Sequence, residues 1–265
     1  MFKAFCFTVC GKDNFMAYAI LLCAVASLST GAGGIIVALW PKMSCRILAV
    51  FQGFAAGVMI GISFLNMLPN SYEDLSKRMN LANALVWLWG LFILGWVISV
   101  IMSYIVVPDK SCSNGKETIK SICIITTMVI IMHNLPEGML TAFSGYSDRK
   151  LGADMAFAVA LHNIPEGVAV ASSVMCLTAS KAKAVAHSFA AGLAELAGGT
   201  AALVLMQSFI TPHMLNMVMA VISGIMVQVS LCQLIPGGIK LHSAIAVLVG
   251  TILGVATISL GILII

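Results

Sequence analysis

Long apolar runs separated by short polar breaks dominate the chain. They lie at about 16–40, 47–69, 83–107, 122–145, 153–176, 184–208, 214–235 and 243–265. Each is long enough to cross a bilayer core of about 30 Å as a helix. Strict alternation of apolar and polar residues is absent, which argues against a β-barrel. Pro41, Pro69, Pro108, Pro212 and Pro236 fall at the ends of runs, where a missing N–H interrupts no hydrogen-bond ladder. The pattern predicts an all-α polytopic membrane protein: one transmembrane domain over 1–265 with eight helices and no separate soluble domain. The longest connections are about a dozen residues, as from Pro108 to Ser121. The opening MFKAFCFTVCGKDNF makes a poor signal peptide, because its apolar stretch is short and Lys12 and Asp13 follow it. It reads as a tail before the first span.

Composition narrows the function classes. Of 265 residues, 60% are hydrophobic and only 9% charged. That excludes a soluble globular enzyme and a disordered regulator, and makes the lipid bilayer the first partner. The net charge of +4 comes without a basic cluster able to track a phosphate backbone, so no nucleic-acid partner is expected. Eight cysteines are scattered without paired CxxC units and read as packing residues, with Cys6 and Cys10 the candidates for a soft metal. Lys and Arg divide eight to six between the two sets of connections, with Lys42, Arg46, Lys110, Lys116, Lys120, Lys181, Lys183 and Lys240 on the richer side. Positive charge favours the cytosol, so both termini are expected on the non-cytosolic face.

The candidate chemistry lies inside the spans. No Lys or Arg falls in any of them, yet Glu137, Glu166 and Glu195 sit near the centres of spans four, five and six. A charged carboxylate at the bilayer centre costs at least about 2.5–3.5 kcal/mol. Without an internal cation these acids are either protonated or await a cation from outside. Their surroundings repeat: His133-Asn134-Leu135-Pro136-Glu137-Gly138 and His162-Asn163-Ile164-Pro165-Glu166-Gly167 differ only by Leu for Ile, 29 residues apart. His and Glu at i and i+4 share a helix face. Imidazole nitrogen and carboxylate together make half of a first-row metal site, and Asn adds a neutral oxygen. Each Pro frees the carbonyl four residues earlier, on Met132 or Leu161, and freed backbone at membrane depth is tolerated where it lines a site. Consecutive spans run antiparallel, so the two motifs meet at one depth about a pseudo-two-fold axis in the membrane plane, and Glu195 joins them from a third helix.

The paired HNLPEG and HNIPEG motifs resemble spans four and five of the ZIP (Zrt/Irt-like) family of divalent metal transporters. GFAAGVMIGISFLNMLP at 53–69 is similar to span two of that family, AAGLAELAGG at 190–199 to span six, and GIMVQVSLCQLIP at 224–236 to span seven. The nearest likeness is to the compact branch that includes bacterial zinc-uptake transporters. The resemblance implies a ZIP-like bundle, a homodimer, a non-enzymatic protein without a cofactor, and transport toward the cytosol. The substrate is then a divalent cation, zinc first and iron, manganese or cobalt next. It implies further that His133, Asn134, Glu137, His162, Asn163, Glu166 and Glu195 form a one- or two-metal site at mid-membrane, and the plasma membrane is the expected location. The chain departs from the family in places. Asn66 and Gln233 stand where relatives often carry Glu, Leu196 follows Glu195 where Pro is common, and the connection 108–121 has no histidine, so a metal sensor there is unsupported.

Candidate pathway residues are Ser63 and Asn66 in span two, Glu73 and Asp74 beyond it, and His187, eight residues before Glu195. Gly53, Gly57 and Gly61, with Gly250 and Gly254, form small-residue stripes that let helices approach closely. An intramembrane metalloprotease would need HExxH, and Asn134 and Asn163 stand where its catalytic Glu belongs. The competing reading is a cation or proton channel that uses the same acids as a filter.

Overall fold

The computed structural model describes residues 2–40, 44–106, 115–206, 211–240 and 243–264. Within these ranges the side chains of 2–14 and 115–129, and of His133 and a few others, lie outside the description, so the expectations for Cys6, Cys10 and the His133 ring rest on undescribed atoms. All regular structure among the described residues is helical: α1 (Phe2–Leu39), α2 (Cys45–Ile62), α3 (Leu68–Ser76), α4 (Leu81–Val106), α5 (Gly115–Ser147), α6 (Arg149–Thr178), α7 (Lys181–Met206), α8 (Pro212–Val229), α9 (Ile235–Lys240) and α10 (Ala244–Ile264). Among the described residues, 7 segments are long and apolar enough to cross a membrane: Phe15–Leu39, Arg46–Ser76, Leu81–Tyr104, Arg149–Ser172, Lys181–Leu205, His213–Lys240 and Ala244–Leu263.

Helix ends follow their local chemistry. Asp148 opens α6 by accepting the Leu151 N–H at 2.8 Å, and Thr211 opens α8 by accepting that of Met214 at 3.1 Å. Ala179, at φ 49°, closes α6 in the left-handed region with its N–H on Met175 O. Three boundaries differ from the sequence expectation. The N-terminal tail is part of α1, because MFKAFCFTVCGKDNF contains no proline and only one glycine to stop a helix. Pro69 and Pro236 do not end their helices either. A π-helical turn, Ser63–Met67 or Ser230–Leu234, precedes each of them. The wider turn covers Leu65 and Cys232, the residues whose carbonyls a proline four positions on would otherwise strike, so both helices run on to Ser76 and Lys240.

These paired turns belong to a repeat that runs through the whole bundle. Close backbone approaches recur at matching offsets. A Cβ at Gly33 would stand 2.2 Å from Ile164 O, and one at Gly198 2.3 Å from Leu135 O. Likewise a Cβ at Gly57 would clash with Thr251 O, and one at Gly224 with Phe92 O. Thus α1 packs on α6 as α7 packs on α5, and α2 packs on α10 as α8 packs on α4. The small residues let backbones touch where lipid supplies no hydrophobic drive between helices. Gly145 and Gly152 bring the end of α5 against the start of α6.

The outer faces are apolar and open: Val86 and Tyr104 on α4 are 71% and 86% exposed, and Ile245 and Leu263 on α10 are 70% and 82% exposed. Helices that stay apolar outward in this way suit a lipid solvent. Met59, Met67, Leu140, Phe143, Met155 and Met219 form the centre of the largest buried cluster, between α2, α5, α6 and α8. Beside it opens a cavity of about 280 Å³ lined by Asn70, Glu73, Asp74, Lys77, Leu151, Asn216 and Met219.

Candidate metal centre

Pro136 and Pro165 lie inside α5 and α6, each four residues beyond a backbone carbonyl it cannot serve. Around them the structure gathers Asn134, Glu137, His162, Asn163, Glu166 and Glu195, all fully or almost fully buried. His162 Nδ1 lies 3.0 Å from Ala158 O. A carbonyl only accepts, so Nδ1 donates that bond, and Nε2 lies 3.3 Å from Glu137 Oε1. An orienting backbone bond behind a metal-facing nitrogen is the usual arrangement for a ligating histidine.

The asparagines are anchored in the same manner. Asn163 Nδ2 donates to Ala26 O at 3.0 Å and to Glu195 Oε2 at 2.6 Å. Asn134 Nδ2 donates to Ala191 O at 3.1 Å. Acceptors alone face each amide nitrogen, which fixes the orientation of both side chains. Their Oδ1 atoms, together with Glu195 Oε1, are buried without a hydrogen-bond partner among the described residues. A buried acceptor left unmet is costly, and a cation or water meets it.

Close packing sets this geometry. A Cβ on Gly138 would lie 1.8 Å from Glu195 O, and one on Gly167 1.9 Å from Thr30 O. The terminal glycine of each hexapeptide therefore permits the approach of α7 and α1. Cys23 Sγ donates to Gly138 O at 3.6 Å, and Ser188 Oγ to Gly167 O at 3.1 Å, again in matching places. Gly138→Ala or Gly167→Ala should destabilise the fold by about 1–3 kcal/mol or more, since backbone rather than a flexible side chain would have to move. A lowered thermal midpoint of the detergent-solubilised variant checks this; an unchanged midpoint would refute the packing argument.

Not every expected residue joins the cluster. Among the described residues no group of three His, Cys, Asp or Glu side chains is close enough to hold an ion. The described pieces are the His162–Glu137 pair and the Asn163–Glu195 pair, with Glu166 also buried on α6. Ser63 is buried, with Oγ on Met59 O at 2.8 Å and 4.0 Å from Met226 Sδ. Asn66 accepts from Asn70 at 3.1 Å, and Gln233 donates to Ser103 at 2.8 Å. Glu73 and Asp74 line the cavity, where Lys77 pairs with Glu73 at 2.6 Å and both Arg78 and His213 pair with Asp74. His187 is exposed, with Nδ1 2.8 Å from Lys183 O, and stands apart from the buried group. Sequence reading missed α1 as a wall of the site. Its signal was present in the shared Ala-Gly-Gly of 32–34 and 197–199.

A profile described as ZIP Zinc transporter matches residues 13–118 and 108–263. The chain belongs to the ZIP family. It is 36% identical over 264 residues to the zinc transporter ZupT of Chlorobium luteolum (strain DSM 273 / BCRC 81028 / 2530), covering 95% of this chain and 98% of that one. With ZupT of Escherichia coli O7:K1 (strain IAI39 / ExPEC) the identity is 35% over 230 residues, 83% of this chain and 86% of the other. Membership makes this chain a multi-pass membrane transporter of divalent metal rather than an enzyme, with the metal as substrate and not as cofactor. The channel reading falls away.

Proposed function

We propose that this ZIP-family protein carries zinc, and less readily iron, manganese or cobalt, toward the cytosol through a mid-membrane site formed by His133, Asn134, Glu137, His162, Asn163, Glu166 and Glu195. The observation that supports it most is the oriented His162–Glu137 pair, a nitrogen and a carboxylate buried on antiparallel helices that bear the same hexapeptide. Zinc takes such nitrogen and oxygen donors readily. The same reading makes α5 the fourth of eight spans. It places both termini on the non-cytosolic side of the plasma membrane, as the Lys and Arg distribution favours, and pairs two copies of the chain as a homodimer.

The cation enters by the cavity at Glu73 and Asp74, near Asn66, where acidic oxygens replace some of its water. Ser63 lies deeper on the same span. The buried carboxylates offset the remaining dehydration cost. The methionine and phenylalanine cluster between cavity and site must part before the ion passes, which makes the protein a carrier that alternates rather than an open pore. Zinc uptake into proteoliposomes should saturate and be competed by the other first-row divalent ions. Uptake that rises linearly with zinc concentration, without competition, would overturn the carrier reading.

A further inference from the structure

Hydroxyls inside apolar helices commonly bond back to the carbonyl four residues earlier. Ser63, Ser103, Ser223, Ser230 and Thr251 do so here, at 2.8–2.9 Å. Thr30, Thr141 and Ser144 are fully buried, and their hydroxyls have no partner among the described residues. Thr30 differs from the other two by its place in the repeat. Asn134 reaches Ala191 O on α7, and four residues on, Glu195 O packs against Gly138. Asn163 reaches Ala26 O on α1, and four residues on, Thr30 O packs against Gly167. Thr30 therefore occupies on α1 the position that Glu195 occupies on α7.

The correspondence breaks at one contact. Glu195 Oε2 accepts from Asn163 at 2.6 Å. The matching contact would join Thr30 to Asn134, and it is not made: Thr30 Oγ1 and Asn134 Oδ1 are both fully buried and both without a partner among the described residues. Two neutral oxygens that face no partner, opposite a carboxylate across a pseudo-two-fold axis, are what a passing cation needs on its weaker side.

We propose that Thr30 Oγ1 is an oxygen donor to the transported cation, acting with Asn134 Oδ1 as the neutral counterpart of Glu195. The proposal rests on the zinc-transport reading of the same site. A carrier must hold its ion strongly enough to strip water and weakly enough to let go. The Glu195 carboxylate from α7 supplies the hold, and the Thr30 hydroxyl from α1 and the Asn134 amide oxygen from α5 supply an exit that does not trap the ion.

The test compares Thr30→Val, which keeps the shape and deletes the hydroxyl, with Thr30→Ser, which keeps the hydroxyl. Purified full-length protein is measured for zinc uptake in proteoliposomes, zinc content after dialysis, and thermal midpoint. Thr30→Val is expected to lower the uptake rate about tenfold, with unchanged zinc content and a midpoint no lower than wild type. Thr30→Ser should take up zinc at close to the wild-type rate. Wild-type uptake by Thr30→Val would overturn the proposal, as would equal loss in both variants with a lowered midpoint, which marks a packing residue. Wild-type uptake and zinc content in Glu137→Ala would instead overturn the parent reading, so the two failures are distinguishable.

Discussion

Glu137→Ala or Glu166→Ala abolishes saturable zinc uptake while the variant still inserts and folds. Both carboxylates are at most 1% exposed, and no Lys or Arg lies in the apolar spans to offset their charge. Removing one therefore subtracts a unit of the negative charge that offsets zinc dehydration. Breaking a buried charge partnership costs about 3–5 kcal/mol. At 1.4 kcal/mol per tenfold, zinc affinity falls by about a hundredfold or more, and uptake at micromolar zinc drops to background. Alanine is also a better helix former than glutamate, so the helices themselves gain nothing from the acid. Initial uptake rates in proteoliposomes, normalised to inserted protein, decide the matter. Wild-type rates from the Glu137→Ala, Glu166→Ala double variant would remove both residues from the site.

Purified native protein at saturating zinc is expected to hold two ions per protomer, and His162→Ala one. The described donors form two pairs along α6: His162 Nε2 faces Glu137, and Asn163 with Glu195 forms a second pole, with Glu166 buried one turn further along the helix. Carboxylates bridge ions where single donors cannot, and Glu137 and Glu166 are the charged members of the two motifs. Losing the imidazole empties the pole it serves and leaves the Asn163–Glu195 pole intact. Elemental analysis of dialysed protein reads the count directly. A native value near one would leave a single-ion site, and an unchanged value of two in His162→Ala would dismiss the imidazole as a ligand.

The apolar runs and the buried acids were legible in the sequence for one physical reason. Bilayer thickness dictates the length of each apolar run, and a carboxylate inside such a run is too costly to stand there for packing alone. The hexapeptides therefore stand out from residue order alone. Pro69 and Pro236 misled because a π-helical turn relieves the proline clash with apolar residues that leave no mark on hydropathy. Leu65 and Cys232 look like ordinary lipid-facing positions. The N-terminal tail misled in the opposite sense, since Lys12 and Asp13 mark a polar break to hydropathy but no break to a helix. Thr30 was invisible because a neutral hydroxyl on an apolar helix passes for filler. Only its alignment with Glu195, through contacts on α5 and α6, gives it meaning.

The interlocking of α1 with later helices also sets a timetable for biogenesis. Ala26 O waits for Asn163, 137 residues downstream, and Thr30 O waits for Ser188, 158 residues downstream. At about 5–20 residues per second of synthesis, α1 spends roughly 7–30 s in the membrane before these partners exist. During that interval its face of Ser27, Thr30, Gly33 and Gly34 lacks the native neighbours on α6 and α7 that cover it in the folded chain. α1 therefore reaches its native surroundings only once α6 and α7 have been made, well after its own synthesis.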